Sequence, residues 1–472
     1  MGYSFYSLFS YYLSSPFNFL ILLFMQFLYV NEAVTLVVLL KIRLTGAFMA
    51  WYVLKKKPGQ ELTAVCTGCM YALSNYVLGY YSNLMWLDCV MLLPVFAWTI
   101  ERLVQTGHWR IYAVVLGYCI LSNYYMGFIL CVFSVLYFIA VYFEAGISKG
   151  RWWKCWMKFS GASLLGGGTA AVILVPAVLS IAKTTAAKQV GLSGTGGTYG
   201  NLWEQLDRLM FDSFPYATSG DQAAINLYCG CAALLFTAAF FINRRICWKQ
   251  KAAMAVLLVF YFAGFHFQTL NLILHGLHKP VGMPNRFAFV FVFLLLKTAS
   301  EGRGRIEELT RKELAAGTAL CLAFCAAVGT GAGNLKILGT AGIVLIYFSI
   351  LVQKPQQRIP WQTWLSILLL CEIGFHGFFS ICNNGTVQVK VSENGIAHAL
   401  LGTCEQSRLD DIYRRLSKNE IQMRNGSGSI RADRDGIVFF GSFYDQGIHL
   451  QVDGKDVQSP DKKGKAHHND QV

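Results

Sequence analysis

The chain alternates long apolar stretches with short polar connections, and this pattern predicts a bundle of membrane-spanning helices. A transmembrane helix needs about 20 mostly apolar residues. Twelve stretches of the sequence approach that length, at 33–54, 61–82, 84–100, 110–124, 126–143, 157–182, 223–242, 252–268, 284–299, 313–331, 335–352 and 362–381. The predicted fold class is therefore mainly α: a polytopic helical membrane protein of about twelve transmembrane helices, with a small β-rich module at the C-terminus.

Two of these stretches are short and adjacent. The segments 110–124 and 126–143 are separated by one position, and they predict a tight helical hairpin around Asn123 and Tyr124. Residues 16–30 are also apolar but too short to span, so they are expected to lie in the membrane interface or to re-enter the membrane.

Two hydrophilic pieces interrupt the apolar pattern. One is the loop 183–222, where the amphipathic stretch Leu202–Phe211 predicts a helix lying on the membrane surface. The other is the tail, whose alternation predicts strands at Thr386–Val391, Gly436–Phe443 and Gly447–Val452, a helix at Arg408–Leu416, and a hairpin turn at Asp453-Gly454. The predicted domains are an interfacial or re-entrant segment at 1–32, a transmembrane domain at 33–381, a small β-rich outer module at 382–458 and a disordered tail at 459–472.

The basic residues of the connections give the predicted bundle an orientation. If the chain crosses the membrane at every span, nineteen Lys and Arg residues fall on one side and six on the other. Loops that face the cytoplasm retain Lys and Arg. The alternation therefore predicts a multi-pass protein of the cytoplasmic membrane. Both hydrophilic pieces, including the C-terminal module, are expected on the extracytoplasmic side.

Composition agrees with a membrane protein and excludes other classes. Hydrophobic residues make up 55% of the chain and charged residues 14%, against roughly 25% charged in ordinary soluble domains. These values exclude a disordered chain, a small disulfide-stapled secreted protein and an ordinary cytosolic enzyme. The net charge of +14 would indicate nucleic acid in a soluble protein. Here it lies in the hydrophobic part, so we expect the lipid bilayer as a partner and no nucleic acid.

The fourteen cysteines do not predict a metal site. Cys66 and Cys69 have CxxC spacing but lie inside a predicted span, where thiols usually behave as small hydrophobic groups. No span places His beside a Cys pair at zinc-ligand spacing. Cys382 and Cys404 lie in the outer tail, where a disulfide between them is one alternative and free thiols the other.

Ionisable residues inside predicted spans are the first candidates for chemistry, because they are costly in a membrane. Asp88 lies about one helical turn below the outer end of its span, and Lys41 and Arg43 lie roughly 12 to 15 Å below the outer end of theirs. One interpretation is an outward cavity, in which Lys41 or Arg43 binds an anionic group and Asp88 orients or deprotonates a polar one. The other is a buried Asp88–Lys41 pair that only locks helix packing.

A second candidate group lies at the predicted outer interface. Arg286 begins a span, and the loop before it contains His275, His278 and Lys279. One guanidinium, one ammonium and two imidazoles could hold a lipid phosphate or pyrophosphate, with Arg binding bidentately. Anchoring of the helix by snorkelling cations is the alternative. Glu372 and His376 share a helix face, but two ligands favour a structural hydrogen bond over a metal site.

Several strings in the chain together resemble the YfhO family of bacterial multi-spanning membrane proteins. In the order of the sequence they are Tyr11-Tyr12-Leu13-Ser14-Ser15-Pro16-Phe17-Asn18, Leu40-Lys41, Trp86-Leu87-Asp88, Ser122-Asn123-Tyr124-Tyr125-Met126-Gly127, His275-Gly276, Pro284-Asn285-Arg286-Phe287, Tyr444-Asp445-Gln446-Gly447 and Val452-Asp453-Gly454-Lys455. No single string is specific, but their common order covers most of the chain.

The resemblance implies a type C glycosyltransferase-like fold in a bacterial cytoplasmic membrane. Such enzymes take a sugar from a polyprenyl-phosphate carrier and transfer it outside the membrane, here to a cell-envelope polymer such as lipoteichoic acid. Asp88 is the catalytic candidate, and the candidate substrate-binding residues are Lys41, Arg43, Asn123, Tyr124, His275, His278 and Arg286. In such a fold the phosphate of the carrier is expected in the outward cavity inferred from Asp88, Lys41 and Arg286. The polyprenyl-phosphate-linked sugar is the implied donor, and no metal ligand is predicted.

The sequence departs from the family at both ends, which keeps other functions open. Type C enzymes usually carry a catalytic acid in the first outer loop after a first span, and this chain begins where that loop should already be under way. Its outer tail is also shorter than the family's β-rich domain. We therefore expect an N-terminally truncated, and thus inactive, enzyme as one outcome. The alternatives are a transporter or flippase for lipid-linked sugars and a non-catalytic membrane scaffold.

Overall fold

The computed structural model describes most of the hydrophobic part of the chain and four short strands of the tail. The described residues are 5–146, 149–182, 196–216, 223–277, 283–328, 334–353, 360–383, 420–424, 427–431, 451–452 and 455–456. The chain divides into two compact units, one from Phe5 to Thr386 and one that joins Met1–Ser4 to Val387–Val472. The first unit is helical, and the strands belong to the second.

The helical unit has seventeen α-helices among the described residues. In chain order they are α1 Phe5–Leu8, α2 Phe19–Phe24, α3 Val30–Lys56, α4 Glu61–Ala72, α5 Asn75–Tyr80, α6 Leu84–Thr106, α7 Arg110–Ser122, α8 Tyr124–Ala145, α9 Lys149–Ala182, α10 Leu202–Asp207, α11 Cys231–Ile242, α12 Trp248–His266, α13 Gln268–Leu274, α14 Ala288–Arg303, α15 Arg311–Val328, α16 Asn334–Gln353 and α17 Trp361–Asn383. A π-helix at Phe9–Leu13 and 3₁₀ turns at Pro16–Asn18 and Ile306–Glu308 complete the list.

Each of the twelve predicted stretches contains a helix, but fewer of them have the dimensions of a span. Six described helices are long and apolar enough to cross a membrane. These are α3, α6, α8, most of α9, α16 and α17. The shorter apolar helices α7 and α11 have 13 and 12 residues. The count of twelve transmembrane helices therefore stays a prediction.

Two predicted spans are broken. The stretch 61–82 is divided into α4 and α5 at Leu73 and Ser74. The stretch 223–242 begins as non-helical chain, and α11 starts only at Cys231, after Gly230 with a φ of 105°. The two breaks meet, because the backbone N–H of Asn75 donates to the carbonyl of Tyr228 at 2.8 Å. Backbone groups freed from a helix ladder must find such partners in an apolar surrounding.

The hairpin between α7 and α8 has the tight form that the sequence predicts. Ser122 ends one helix, Tyr124 begins the next, and only Asn123 lies between them. The Asn123 side chain accepts a hydrogen bond from the backbone N–H of Met126 at 2.9 Å, so it caps α8. The predicted surface helix Leu202–Phe211 is shorter than expected. The observed helix, α10, ends at Asp207 and is followed by a turn.

Helix α3 is held closely on two sides. Its backbone approaches α4 where Gly46 faces Gly68, and a Cβ on Gly68 would lie 2.6 Å from the carbonyl oxygen of Gly46. Small residues permit such close helix contacts in membranes. Val37, Lys41 and Thr45 are spaced one helical turn apart on α3 and form a buried stripe. This stripe lies between the contacts with α4 and helix α6.

The second unit is described only as two short hairpins. Strand β1, Glu420–Arg424, pairs antiparallel with β2, Ser427–Arg431. Strand β3, Gln451–Val452, pairs antiparallel with β4, Lys455–Asp456, on either side of the predicted Asp-Gly turn. The β1–β2 pair was not predicted. The predicted elements Thr386–Val391, Arg408–Leu416 and Gly436–Phe443, and the tail 459–472, lie outside the described residues, so the β-rich module stays a prediction.

Candidate functional site

The first part of the candidate site is an ion pair between α3 and α6. The Nζ of Lys41 lies 2.5 Å from Oδ2 of Asp88 and 3.1 Å from the carbonyl oxygen of Leu84. Both side chains have a relative exposure of 0%. Lys41 lies on the face of α3 where the helical spacing otherwise places buried residues. Asp88 lies on the buried face of α6. The two costly charges therefore neutralise each other inside the bundle.

The remaining oxygen of Asp88 is also occupied. Its Oδ1 accepts hydrogen bonds from the hydroxyl of Ser15 at 2.8 Å and from the hydroxyl of Tyr118 at 3.1 Å. The ring of Phe17 covers the Lys41 ammonium at 5.6 Å. In this conformation the pair does not line an open outward cavity. Of the two interpretations from the sequence, this geometry favours the helix-locking pair.

The cover over the pair is residues 5–18, which we call the N-terminal strap. Besides Ser15 and Phe17, the strap is attached at Ser14, whose hydroxyl donates to the carbonyl of Ser122 at 3.0 Å. The Nδ2 of Asn123 donates to the carbonyl of Tyr11 at 2.8 Å. Sequence reasoning noted these strap residues only as part of a family string. Polar Ser14 and Ser15 inside an aromatic stretch were the signal for a buried polar contact.

The second part of the site is the guanidinium of Arg286. Its central carbon lies 5.1 Å from the ring centroid of Trp86 and 5.0 Å from that of Tyr125, so the group lies between two aromatic rings. Its Nε donates to the carbonyl of Met283 at 3.0 Å, and Nη1 lies 3.4 Å from the Tyr11 hydroxyl. Unlike Lys41, Arg286 is half-buried. It is the cation of the site that a ligand can reach.

The backbone before Arg286 is held in an unusual conformation. Asn285 has a φ of 56°, in the left-handed region, and is buried. Its side chain donates to the carbonyl of Ala224 at 2.9 Å and accepts from Nδ2 of Asn271 at 2.7 Å. Hydrogen bonds on both ends of the Asn285 amide offset the cost of the left-handed conformation. They also fix the direction in which the Arg286 side chain projects from the backbone.

His275 supports the same backbone rather than presenting a free imidazole. Its Nε2 accepts from the backbone N–H of Arg286 at 3.3 Å, and its Nδ1 lies 2.8 Å from the carbonyl of Asn271. These partners require a proton on Nδ1 and none on Nε2, which is the neutral tautomer. The side chain is buried. His278, the second predicted histidine, lies outside the described residues.

Tyr11 connects the two parts of the site. Its hydroxyl accepts from Nε1 of Trp86 at 3.1 Å as well as facing Arg286. Burial raises the pKa of this phenol, and the nearby guanidinium only partly opposes that effect, so the hydroxyl stays neutral at physiological pH. The ring of Tyr124 lies 5.9 Å from the ring of Tyr11 and is half-buried. A neutral oxygen thus occupies the position beside Arg286 where an anion would bind.

The structure brings together most of the predicted residues but separates Arg43 from them. Lys41, Asp88, Asn123, Tyr124, His275 and Arg286 are connected through the strap and Trp86. Arg43 is two positions from Lys41, which places it on the opposite side of α3, where it is exposed. Sequence reasoning missed Tyr11, Ser15, Tyr118 and Tyr125, which lie far from Asp88 and Arg286 in sequence.

Glu372 and His376 lie apart from this site, and each forms hydrogen bonds with other parts of the chain. Oε1 of Glu372 accepts from the Tyr228 hydroxyl at 2.6 Å and from the backbone N–H of Cys231 at 2.5 Å, and Oε2 accepts from the Tyr347 hydroxyl at 2.6 Å. The carboxylate thereby caps the N-terminus of α11, where the helix dipole favours an anion. Among the described residues, no group of three His, Cys, Asp or Glu side chains could hold a metal ion.

The fold and this site define a helical membrane protein with a buried polar centre that a strap closes. Comparison with protein families identifies it further. The model of the family described as bacterial membrane protein YfhO matches residues 1–449, and the chain belongs to this family. Searches of curated proteins and of solved structures gave no match.

Proposed function

We propose that the protein is a membrane glycosyltransferase-like protein that binds a polyprenyl-phosphate-linked sugar at Arg286. In this proposal the sugar is transferred on the outer side of the membrane to a cell-envelope polymer such as lipoteichoic acid. The outer side is the one with few loop cations, and Arg286 lies at the end of the bundle that faces it.

The observation that carries the proposal is the guanidinium held between Trp86 and Tyr125. The two rings and the Met283 carbonyl fix its plane, and the hydroxyls of Tyr11 and Tyr125 are its neutral hydrogen-bond partners. A planar guanidinium whose N–H groups meet only neutral oxygens suits a phosphate, which it binds bidentately once these hydroxyls are displaced. Rings on both sides exclude water and strengthen that attraction.

Asp88 has a positioning role in this proposal, because both of its oxygens are occupied. It holds Lys41 and the strap through Ser15, and the strap in turn places Tyr11 beside Arg286. Binding of the carrier phosphate requires the Tyr11 hydroxyl to leave Arg286. If no transfer is found, the non-catalytic scaffold is the favoured function.

The test uses the full chain in proteoliposomes with a radiolabelled polyprenyl-phosphate sugar and an acceptor polymer. We expect labelled polymer from the wild type and at least roughly a hundredfold loss with Arg286→Ala. Arg286→Lys should recover only part of the activity, because it keeps the charge without the bidentate geometry. Arg110→Ala, which removes an exposed cation at the far end of the bundle, is the matched control. Equal transfer by Arg286→Ala and wild type would refute the proposal.

A flippase or transporter for the same lipid is the second candidate. Its support is the pair of broken spans, α4–α5 and the non-helical segment before α11, since discontinuous helices are common at transport sites. Movement of the labelled carrier between leaflets, without label in the polymer, would favour this function. If neither transfer nor movement depends on Arg286, the scaffold is favoured.

A further inference from the structure

At the other end of the α3–α6 pair, neighbouring charges point in opposite directions. Lys56 turns inward and pairs with Glu101 at 2.9 Å. The adjacent residues, Lys55 on α3 and Arg102 on α6, turn toward the outside of the bundle, where Lys55 is exposed and Arg102 half-buried. The internal carboxylate is therefore neutralised from within, and two cations are left on the surface.

Both outward cations lie over tryptophan rings. The Nζ of Lys55 is 5.8 Å from the ring centroid of Trp51, and the guanidinium carbon of Arg102 is 5.2 Å from that of Trp98. The two indoles contact each other edge to face, with centroids 5.1 Å apart. We call these four residues the tryptophan ladder. They form one continuous surface across two neighbouring helices.

The ladder lacks an anion. In the part of the chain that the structure describes, neither Lys55 nor Arg102 forms an ion pair with a carboxylate. Cation–π contacts hold the two groups in place, but they do not neutralise a charge. The two cations are therefore available to an anion from outside the described chain.

The order of the tryptophans and cations along the two helices indicates which kind of molecule supplies the anion. Helices α3 and α6 both run toward this end, and each tryptophan precedes its cation by one helical turn, about 6 Å. The rings therefore lie closer to the bilayer centre and the cations closer to water. A phospholipid presents its groups in the same order, because its phosphate lies outside its glycerol and acyl carbons. Tryptophan is enriched at this depth of the membrane.

We propose that the tryptophan ladder binds the headgroup of an anionic phospholipid, with the phosphate between Lys55 and Arg102 and the glycerol against the two indoles. The loop cations place this end on the cytoplasmic side, where anionic lipids attract basic groups. The site is separate from Arg286, at the opposite end of α6, so it does not depend on the proposed glycosyl transfer.

Native mass spectrometry of the full chain in detergent micelles tests the proposal. Phosphatidylglycerol is titrated as the anionic probe and phosphatidylcholine as the zwitterionic one. We expect the wild type to retain phosphatidylglycerol preferentially, and the double variant Lys55→Gln/Arg102→Gln to bind it roughly tenfold more weakly. Trp51→Leu/Trp98→Leu, which keeps both charges, should also weaken retention, because the cations lose the surface that holds them.

The matched control is Arg151→Gln/Lys154→Gln, which removes the same charge from exposed positions of α9. We expect it to lower retention less than about threefold, as a general loss of surface charge would. Equal losses in the ladder variant and this control would overturn the proposal. If the wild type bound inorganic phosphate as tightly as phosphatidylglycerol, the proposal would also be overturned, since the site would then recognise a phosphate and not a phospholipid. Thermal unfolding in phosphatidylcholine checks that all three variants are folded.

Discussion

Two ion pairs with the same hydrogen-bond arrangement join helices α3 and α6, but different segments of the chain cover them. At one end, Lys41 binds one oxygen of Asp88, and two hydroxyls, from Ser15 and Tyr118, bind the other. At the other end, Lys56 binds one oxygen of Glu101. Two hydroxyls, from Tyr52 and Tyr137, bind its other oxygen.

The difference lies in where the hydroxyl donors come from. Tyr52 and Tyr137 belong to α3 and α8, which are long apolar helices. Ser15 belongs to the strap, a peripheral segment of short turns whose outer face exposes Tyr12 and Leu13. The Glu101 pair is covered by spanning helices, although Lys56 keeps 27% of its side chain exposed. The Asp88 pair is fully buried, and the strap supplies one of the two hydroxyls that bind Asp88, the other coming from Tyr118 of α7.

The largest expected effect follows from removing one partner of the fully buried pair. Asp88→Ala leaves the Lys41 ammonium without a counter-charge, which typically costs about 3–5 kcal/mol. We expect a severe loss of folded protein, measured by thermal unfolding in detergent. The double variant Lys41→Met/Asp88→Leu should recover much of that stability, because apolar residues can replace a buried pair. Failure of the double variant to recover would show that the pair does more than neutralise itself.

The Glu101 pair should be less sensitive. Lys56 keeps 27% of its side chain exposed, so it can turn to water when its partner is lost. We expect Glu101→Gln to cost about 1–2 kcal/mol, mainly through weaker hydrogen bonds from Tyr52 and Tyr137. The same unfolding assay compares it with Asp88→Asn, which changes the outer carboxylate in the same way. An equal or larger loss at Glu101 would contradict the ranking of the two pairs.

The strap is tested by a change that leaves both ion pairs intact. Tyr11→Phe removes the hydroxyl that faces Arg286 and Trp86, so the strap should open more often and the guanidinium should bind an anion more tightly. Hydrogen exchange of residues 5–18 should become several times faster, while exchange in α8 stays unchanged. Unchanged exchange in the strap would mean that Tyr11 does not hold it closed.

The smallest effect is expected at Arg43. Its side chain is exposed on the face of α3 opposite to Lys41. We expect Arg43→Gln to change the free energy of unfolding by less than about 0.5 kcal/mol, in contrast to any change at Lys41. A loss comparable to that of Lys41→Met would place Arg43 in the site after all.

The sequence offered a buried Lys41–Asp88 pair as one of two interpretations, because ionisable residues are costly inside apolar spans. It also separated Arg286 from ordinary loop cations by its position at a span end. The strap could not be predicted in the same way. Its contacts reach residues 73 to 275 positions away, and its aromatic residues look the same whether they cover a site or rest in lipid.

The breaks in the spans were hidden for a related reason. An apolar run such as 223–230 has the composition of a helix, but the structure shows it as non-helical, with a distant donor on one of its carbonyls. Asn75 supplies that donor from another part of the chain. Arg43 is different, because a spacing of two residues on a helix already places it away from Lys41.

The cap on α11 has a consequence for how the protein is made. The backbone N–H of Cys231 is bound by Glu372, a residue 141 positions later in the chain. During synthesis α11 therefore enters the membrane before its partner exists, with an exposed helix N-terminus that the lipid cannot satisfy. Arrival of α17 supplies the missing acceptor. The fold of this half of the bundle is thus completed only when α17 has been synthesised, and chains that stop short of Glu372 should leave the N-terminus of α11 uncapped.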